Sequence, residues 1–295
     1  MKTILTGIDF TAPSPAVLRH AIHVARPSGN PVHAVHVLDS GRIARWASGG
    51  ERTSADALSE QAQHRLDAFV SEHAPDAGVA TEIRVGRTAT ELCHAVEEHD
   101  ADLLVIAAND LTKKRLGSVA SACVRCAACD VMVLRDWQEG DFEKIVVCTD
   151  FSAMSARAME RGARLAAANG ARLEIVHVLY PPDHDLWGVA VEIGEEPEEG
   201  YATRCRERAR REGEDFLASH TAALEKVDHQ LVILESEVPS VAINSYLEDS
   251  GADLAVLGTR GHSRIGGMFL GTNAERLLHD VAVSVVAVRP DEASH

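Results

Sequence analysis

Ala252-Asp253-Leu254-Ala255-Val256-Leu257-Gly258-Thr259-Arg260-Gly261, then nine residues, then Gly271-Thr272-Asn273-Ala274-Glu275-Arg276-Leu277-Leu278, is the stretch from which the fold is read. Its opening apolar run has the length of a buried strand. A glycine at the strand's end lets the chain turn sharply and lets a ligand approach the backbone closely. The second glycine turn opens a helix, where unpaired N–H groups and the positive dipole end suit an anion such as phosphate. Thr272 and Glu275 stand at capping-box spacing, which marks that helix start.

Working outward, the chain repeats itself. Ile4-Leu5-Thr6-Gly7-Ile8-Asp9-Phe10 matches Ile145-Val146-Val147-Cys148-Thr149-Asp150-Phe151 at an offset of 141, and Val35-His36-Val37-Leu38 matches Val176-His177-Val178-Leu179 at the same offset. Ala101-Asp102-Leu103-Leu104-Val105-Ile106 matches Ala252 to Leu257 at 151. Gly117-Ser118 matches Gly271-Thr272, and Val133-Leu134-Arg135 matches Ala287-Val288-Arg289, both at 154. Offsets that only step upward describe a duplication with changed loop lengths, and two copies read as two domains rather than a solenoid. The expected boundaries are 1–138 and 142–290. In the second copy the pattern predicts strands near 143–149, 171–179, 229–235, 253–258 and 283–288, with helices near 153–169, 200–225, 238–249 and 272–280. Short apolar strands alternating with amphipathic helices give a parallel sheet covered on both faces, with ligands at the carboxyl ends of the strands.

The chain has 295 residues, 45% hydrophobic and 25% charged, with only 4% aromatic, so its cores must be built from Ala, Val, Leu and Ile. The net charge of −16 argues against sequence-independent nucleic-acid binding, which needs a basic face. It does not argue against a phosphate pocket made of backbone N–H groups. No apolar run approaches a membrane span, and a cytoplasmic protein is expected. Six cysteines in such a chain are expected to be reduced thiols.

The G-x-x-G pattern followed by G-[ST], set in this repeat, resembles the nucleotide-binding motif of the universal stress protein family, over nearly the whole chain. The resemblance implies two tandem flavodoxin-like or Rossmann-like doubly wound α/β domains, each with a five-stranded parallel sheet. It implies ATP, with Mg, in the second domain. Asp150 would lie beside the adenine and ribose, and the backbone of Val178 would read the adenine edge. Gly258, Arg260, Gly261 and His262 would line the ribose and phosphates, with Gly271, Thr272 and Asn273 closing around the β- and γ-phosphates. Plainer readings stand beside these: Asp150 or Thr272 as helix caps, Val178 as a core residue, Arg260 as an exposed loop side chain. Pairing through the last strands is a family habit, so Val131 to Leu134 and Val283 to Val286 could pair within one chain as a pseudo-dimer, with a homodimer also open.

The first half departs from the motif. Ala107-Ala108-Asn109-Asp110 stands where the second half has Gly258 to Gly261, and six residues rather than nine precede Gly117. Alanine restricts the turn, and an acid at the phosphate position repels the ligand. Asp9 and Val37 persist, so the adenine end is kept while the phosphate end is not. No Walker A lysine motif is present and no catalytic base is evident. The expected function is ATP-dependent sensing or regulation under stress, through an unidentified protein partner. A slow ATPase or nucleotidyl-transfer enzyme is the rival reading. A third is a thiol or metal sensor on Cys123, Cys126 and Cys129, whose three-residue spacing puts them on one helical face. No second ligand pair completes a zinc site with them, and no metal ligands are assigned from the sequence. His177 is read as structural. Ser40 to Thr53 and Pro181 to Gly200 read as long irregular segments.

Overall fold

The computed structural model describes residues 2–47, 55–108, 116–135, 141–181, 200–259 and 272–290. The first half runs β1 (Thr3–Gly7), α1 (Ser14–Ala25), β2 (Val32–Asp39), α2 (Ser40–Ala47), α3 (Ala55–His73), β3 (Ala80–Gly86), α4 (Thr88–Glu98), β4 (Ala101–Ala107), α5 (Ser118–Cys126) and β5 (Asp130–Leu134). The second repeats the order: β6 (Lys144–Cys148), α6 (Ala153–Asn169), β7 (Arg172–Leu179), α7 (Tyr201–Ser219), the short α8 (Thr221–Leu224), β8 (His229–Glu235), α9 (Pro239–Ser250), β9 (Leu254–Gly258), α10 (Thr272–Asp280) and β10 (Ser284–Val288). Ser40 to Ala47, expected as irregular chain, is helical: Asp39 Oδ1 accepts a hydrogen bond from Arg42 N at 2.9 Å, and this cap starts α2 where β2 ends.

Within each half the strands are parallel, in the order 3-2-1-4-5. The halves then join. Val133, Met132 and Val131 pair antiparallel with Val285, Val286 and Ala287, so the two five-stranded sheets are one ten-stranded sheet. The junction is pinned by reciprocal bonds: Arg289 N donates to Asp130 Oδ1 at 2.9 Å, and Arg135 N donates to Ser284 Oγ at 3.1 Å. Arg161 of α6 adds a 2.7 Å bond to Asp130 Oδ2.

Helices cover both faces, as right-handed crossovers require. Leu92 and Val96 of α4, Cys123 of α5, Leu247 of α9 and Leu277 of α10 pack on one face. Val17 and Ala21 of α1, Met159 and Ala163 of α6 and Phe216 of α7 pack on the other. Both layers run unbroken across the β5–β10 seam, so the halves share their core. Aliphatic side chains dominate it, as the scarcity of aromatics requires. At Gly162 a Cβ would collide with Val147, so glycine sets how closely α6 approaches β6. No helix among the described residues is long and apolar enough to cross a membrane.

The cysteines overturn the expectation of reduced thiols throughout. Cys93 of α4 and Cys126 at the end of α5 form a disulfide, with Cα atoms 6.4 Å apart. The two helices lie side by side on one sheet face, a neighbourhood invisible in the chain order. Cys126 is therefore not grouped with Cys123 and Cys129. Those two are buried free thiols; burial pushes Cys123 up to about 12 and Cys129 higher still. Such thiols are inert packing groups.

Candidate nucleotide cleft

Strand order reverses beside the first strand of each half, between β1 and β4 and between β6 and β9. Crossovers leave in opposite directions there and open a cleft at the strands' carboxyl ends. In the second half this brings together Asp150, just beyond β6, Val178, near the end of β7, and Gly258, the last residue of β9. These three strands are adjacent, in the order β9-β6-β7. Cys148 pairs with both Leu257 and Val176, so Gly258 and Val178 lie one and two residues past a common row.

The register gives Val178 a particular role. Thr149 N donates to Val176 O at 2.9 Å, and no β6–β7 pair lies beyond Cys148 and Val176. Ser236 N donates to Leu179 O, so odd-numbered residues there turn their main chain toward β8. By alternation Val178 turns its N–H and C=O toward the space above β6, which is the cleft. Its side chain is half-buried.

Asp150 shapes the turn that leaves β6. Its Oδ1 accepts from Ser152 N at 3.1 Å, and Ser152 caps α6 by accepting from Ser155 N at 3.2 Å. Between them Phe151 takes φ of 60°, and its counterpart Phe10 takes 59°. A bulky residue at positive φ costs energy and persists only where its surroundings over-determine it. Those surroundings include a histidine ring held by a carbonyl. His177 Nδ1 lies 3.0 Å from Thr149 O, and its ring stacks on Phe151 at 4.3 Å between centroids. In the first half His36 Nδ1 lies 2.7 Å from Ile8 O, with its ring 4.5 Å from Phe10. A carbonyl can only accept, so both imidazoles donate from Nδ1. The sequence reading of His177 as structural agrees with this, but the strained phenylalanine it supports left no mark in the sequence.

The first half holds a cavity of about 840 Å³ at the corresponding place. Gly7, Asp9, Val37, Ala107 and Ala108 line it, and Arg42 and Ile43 of α2 close one side. Asp9 Oδ1 accepts from Thr11 N at 3.0 Å and from Ser14 Oγ at 2.9 Å. The cleft floor and the acid are thus common to both halves. Arg260, Gly261, His262 and Gly271, like Asn109 and Asp110 of the first half, lie outside the described residues; Thr272 and Asn273 begin α10.

The fold has known relatives. The sequence model described as the universal stress protein family matches residues 1–135 and again 141–289. A Thermus aquaticus universal stress protein, from the 3′ region of a sulfhydrylase gene, is 31% identical over 149 residues, half of this chain and 99% of that protein. A universal stress protein of Mycolicibacterium smegmatis is 25% identical over 301 residues, 97% of both chains. A universal stress protein from Archaeoglobus fulgidus superposes over 97% of this chain and 98% of its own, with a TM-score of 0.65 at 18% identity. Two successive matches to one family, on two halves with one strand order, leave a single assignment: this chain is a tandem member of the universal stress protein family.

Proposed function

We propose that the chain is a nucleotide-dependent regulator in which the second domain binds ATP and the first does not. The observation that carries this reading is the convergence of Asp150, the cleft-facing backbone of Val178 and Gly258 at one switch point, immediately before the glycine motif. Asp150 would accept from the ribose or the adenine amino group. The Val178 N–H and C=O would meet the adenine edge. Gly258, Arg260, Gly261 and His262 would wrap the ribose and phosphates, and Gly271, Thr272 and Asn273 would present N–H groups to the terminal phosphates, with Mg arriving on the nucleotide. The cavity in the first half, about 840 Å³, indicates that this architecture leaves room for a mononucleotide.

Binding rather than turnover is the expected role. The motif offers phosphate donors and charge but no Walker A lysine, and His177 is committed to Phe151 and Thr149. ATP occupancy would then alter a surface read by a protein partner during stress. Mass analysis of nucleotide released by denaturing the purified full chain tests this. ATP at up to one equivalent per chain is expected, and release of a different ligand class would overturn the assignment.

A further inference from the structure

At the opposite end of the strands from the cleft, His33 of β2, Glu82 of β3 and His99 at the end of α4 meet. Val35 pairs with Glu82, so His33 and Glu82 project on the same face of neighbouring strands, the face that α4 covers. His99 Nε2 lies 2.7 Å from Glu82 Oε2, and His33 Nε2 lies 3.4 Å from the same oxygen. The two imidazole rings are 4.0 Å apart between centroids. One donor atom from each residue lies within 4.8 Å of the others. His33 Nε2 is buried and makes no hydrogen bond, although Glu82 Oε2 lies 3.4 Å away. A buried ring nitrogen without a partner is a group awaiting a proton or a metal.

We propose that His33, Glu82 and His99 form a binding site for a divalent transition-metal ion of the zinc class. Two imidazoles and one carboxylate are a ligand set that such ions take, with a fourth position left to water. Metal–ligand bonds of about 2.0–2.2 Å put donor atoms of a tetrahedral site roughly 3.4 Å apart, so the cluster needs small ring rotations rather than backbone movement. On binding, the Nε2 proton that His99 donates to Glu82 moves to Nδ1 or leaves to solvent, and the carboxylate oxygen and both nitrogens turn to the ion. Arg84 completes the surroundings: its Nε donates to Glu82 Oε1 at 2.7 Å, which fixes the carboxylate while leaving Oε2 for the metal. Glu91 and Glu98 both pair with Arg84 and offset its charge. The ion would tie the edge strand β3 and its neighbour β2 to the end of α4.

The second half provides an internal comparison. Its equivalent positions are Glu174, Val232 and Ser250, one carboxylate with no imidazole. Glu174 is already satisfied by Tyr246 Oη and Gln230 Nε2, each at 2.7 Å. The equivalent positions of the second half therefore do not offer this ligand set.

Cobalt(II), then zinc, titrated into chelator-stripped full-length protein tests the assignment. One cobalt per chain is expected, with d–d absorption of a four- or five-coordinate ion and no thiolate charge-transfer band. His33→Ala and His99→Gln should each weaken binding at least tenfold. His99 sits at a half-exposed helix end, so its variant supplies the comparison whatever His33→Ala does to folding. Absence of stoichiometric metal at micromolar protein would overturn the proposal. So would a thiolate band, or undiminished binding in His99→Gln, since either places the ion elsewhere.

Discussion

His20 of the first half and Arg161 of the second occupy equivalent positions on α1 and α6, and each reaches across to the other half. His20 stacks on Phe142 at 4.9 Å between centroids, while Arg161 bonds Asp130 at 2.7 Å. Asp130 and Ser284 are likewise equivalent, and each accepts a backbone N–H from the far side of the seam. The geometry of the duplication has been kept while its chemistry has diverged. What the fold itself requires is retained in both copies: the strand order, the Asp-Phe turn and the histidine beneath it. What the fold does not require has drifted, including the glycine motif after the fourth strand, the seam residues and the polar cluster on β2 and β3.

The seam offers the sharpest way to break the comparison. Asp130 is buried and accepts from both Arg161 and the Arg289 backbone, whereas Ser284 accepts one neutral bond. Asp130→Ala should cost about 3 kcal/mol, because it leaves the largely buried Arg161 guanidinium with only the more distant Asp102 carboxylate and orphans the Arg289 N–H. Ser284→Ala should cost about 1 kcal/mol. Urea unfolding of the two variants checks this, and equal losses would mean that the seam is chemically symmetric after all.

The second largest effect concerns pH. Burial, aided by His23 and Arg19, holds His20 down at about 4, against an ordinary 6.5. Above pH 6.5 the imidazole is neutral folded or unfolded, and its contribution to stability is complete. Between 6.5 and 4 the unfolded chain takes up a proton that the folded chain refuses, so stability falls by up to about 3 kcal/mol. His20→Gln should flatten the acid limb of stability against pH, and an unchanged limb would remove His20 from the account.

A further test moves a first-half residue into the second half. Gly261→Asp places there the acid found at Asp110, adding like-charge repulsion and blocking close backbone approach. ATP affinity should fall at least tenfold, about 1.4 kcal/mol, with the fold intact. Unchanged affinity in calorimetry would locate the phosphates elsewhere.

Much of this architecture is legible in the chain because it rests on local pattern. The apolar run at 229–235 is the strand β8, and the amphipathic stretch at 153–169 is the helix α6. The pairing of Val131 to Leu134 with the last strand came from family resemblance rather than from the residues, since no local signal says which edges meet. The Cys93–Cys126 bridge was missed for the same reason: its partners are 33 residues apart and meet only because α4 and α5 share a sheet face. The cluster of His33, Glu82 and His99 depends on strand register, which sequence spacing does not carry. The left-handed phenylalanines were hidden because tertiary contacts, not residue preference, hold them. At the cleft, glycine spacing pointed to the strand ends, and the register supplied the direction of the Val178 main chain.

The central claim is that duplication left one competent nucleotide cleft and one that keeps only its adenine end. Calorimetric titration of the nucleotide-free full chain with Mg-ATP tests it most directly. One site per chain, abolished or weakened by Gly261→Asp and untouched by changing Ala107 or Asp9, is the predicted result. Two equivalent sites per chain, or a single site that survives Gly261→Asp and is lost on changing Asp9, would contradict it.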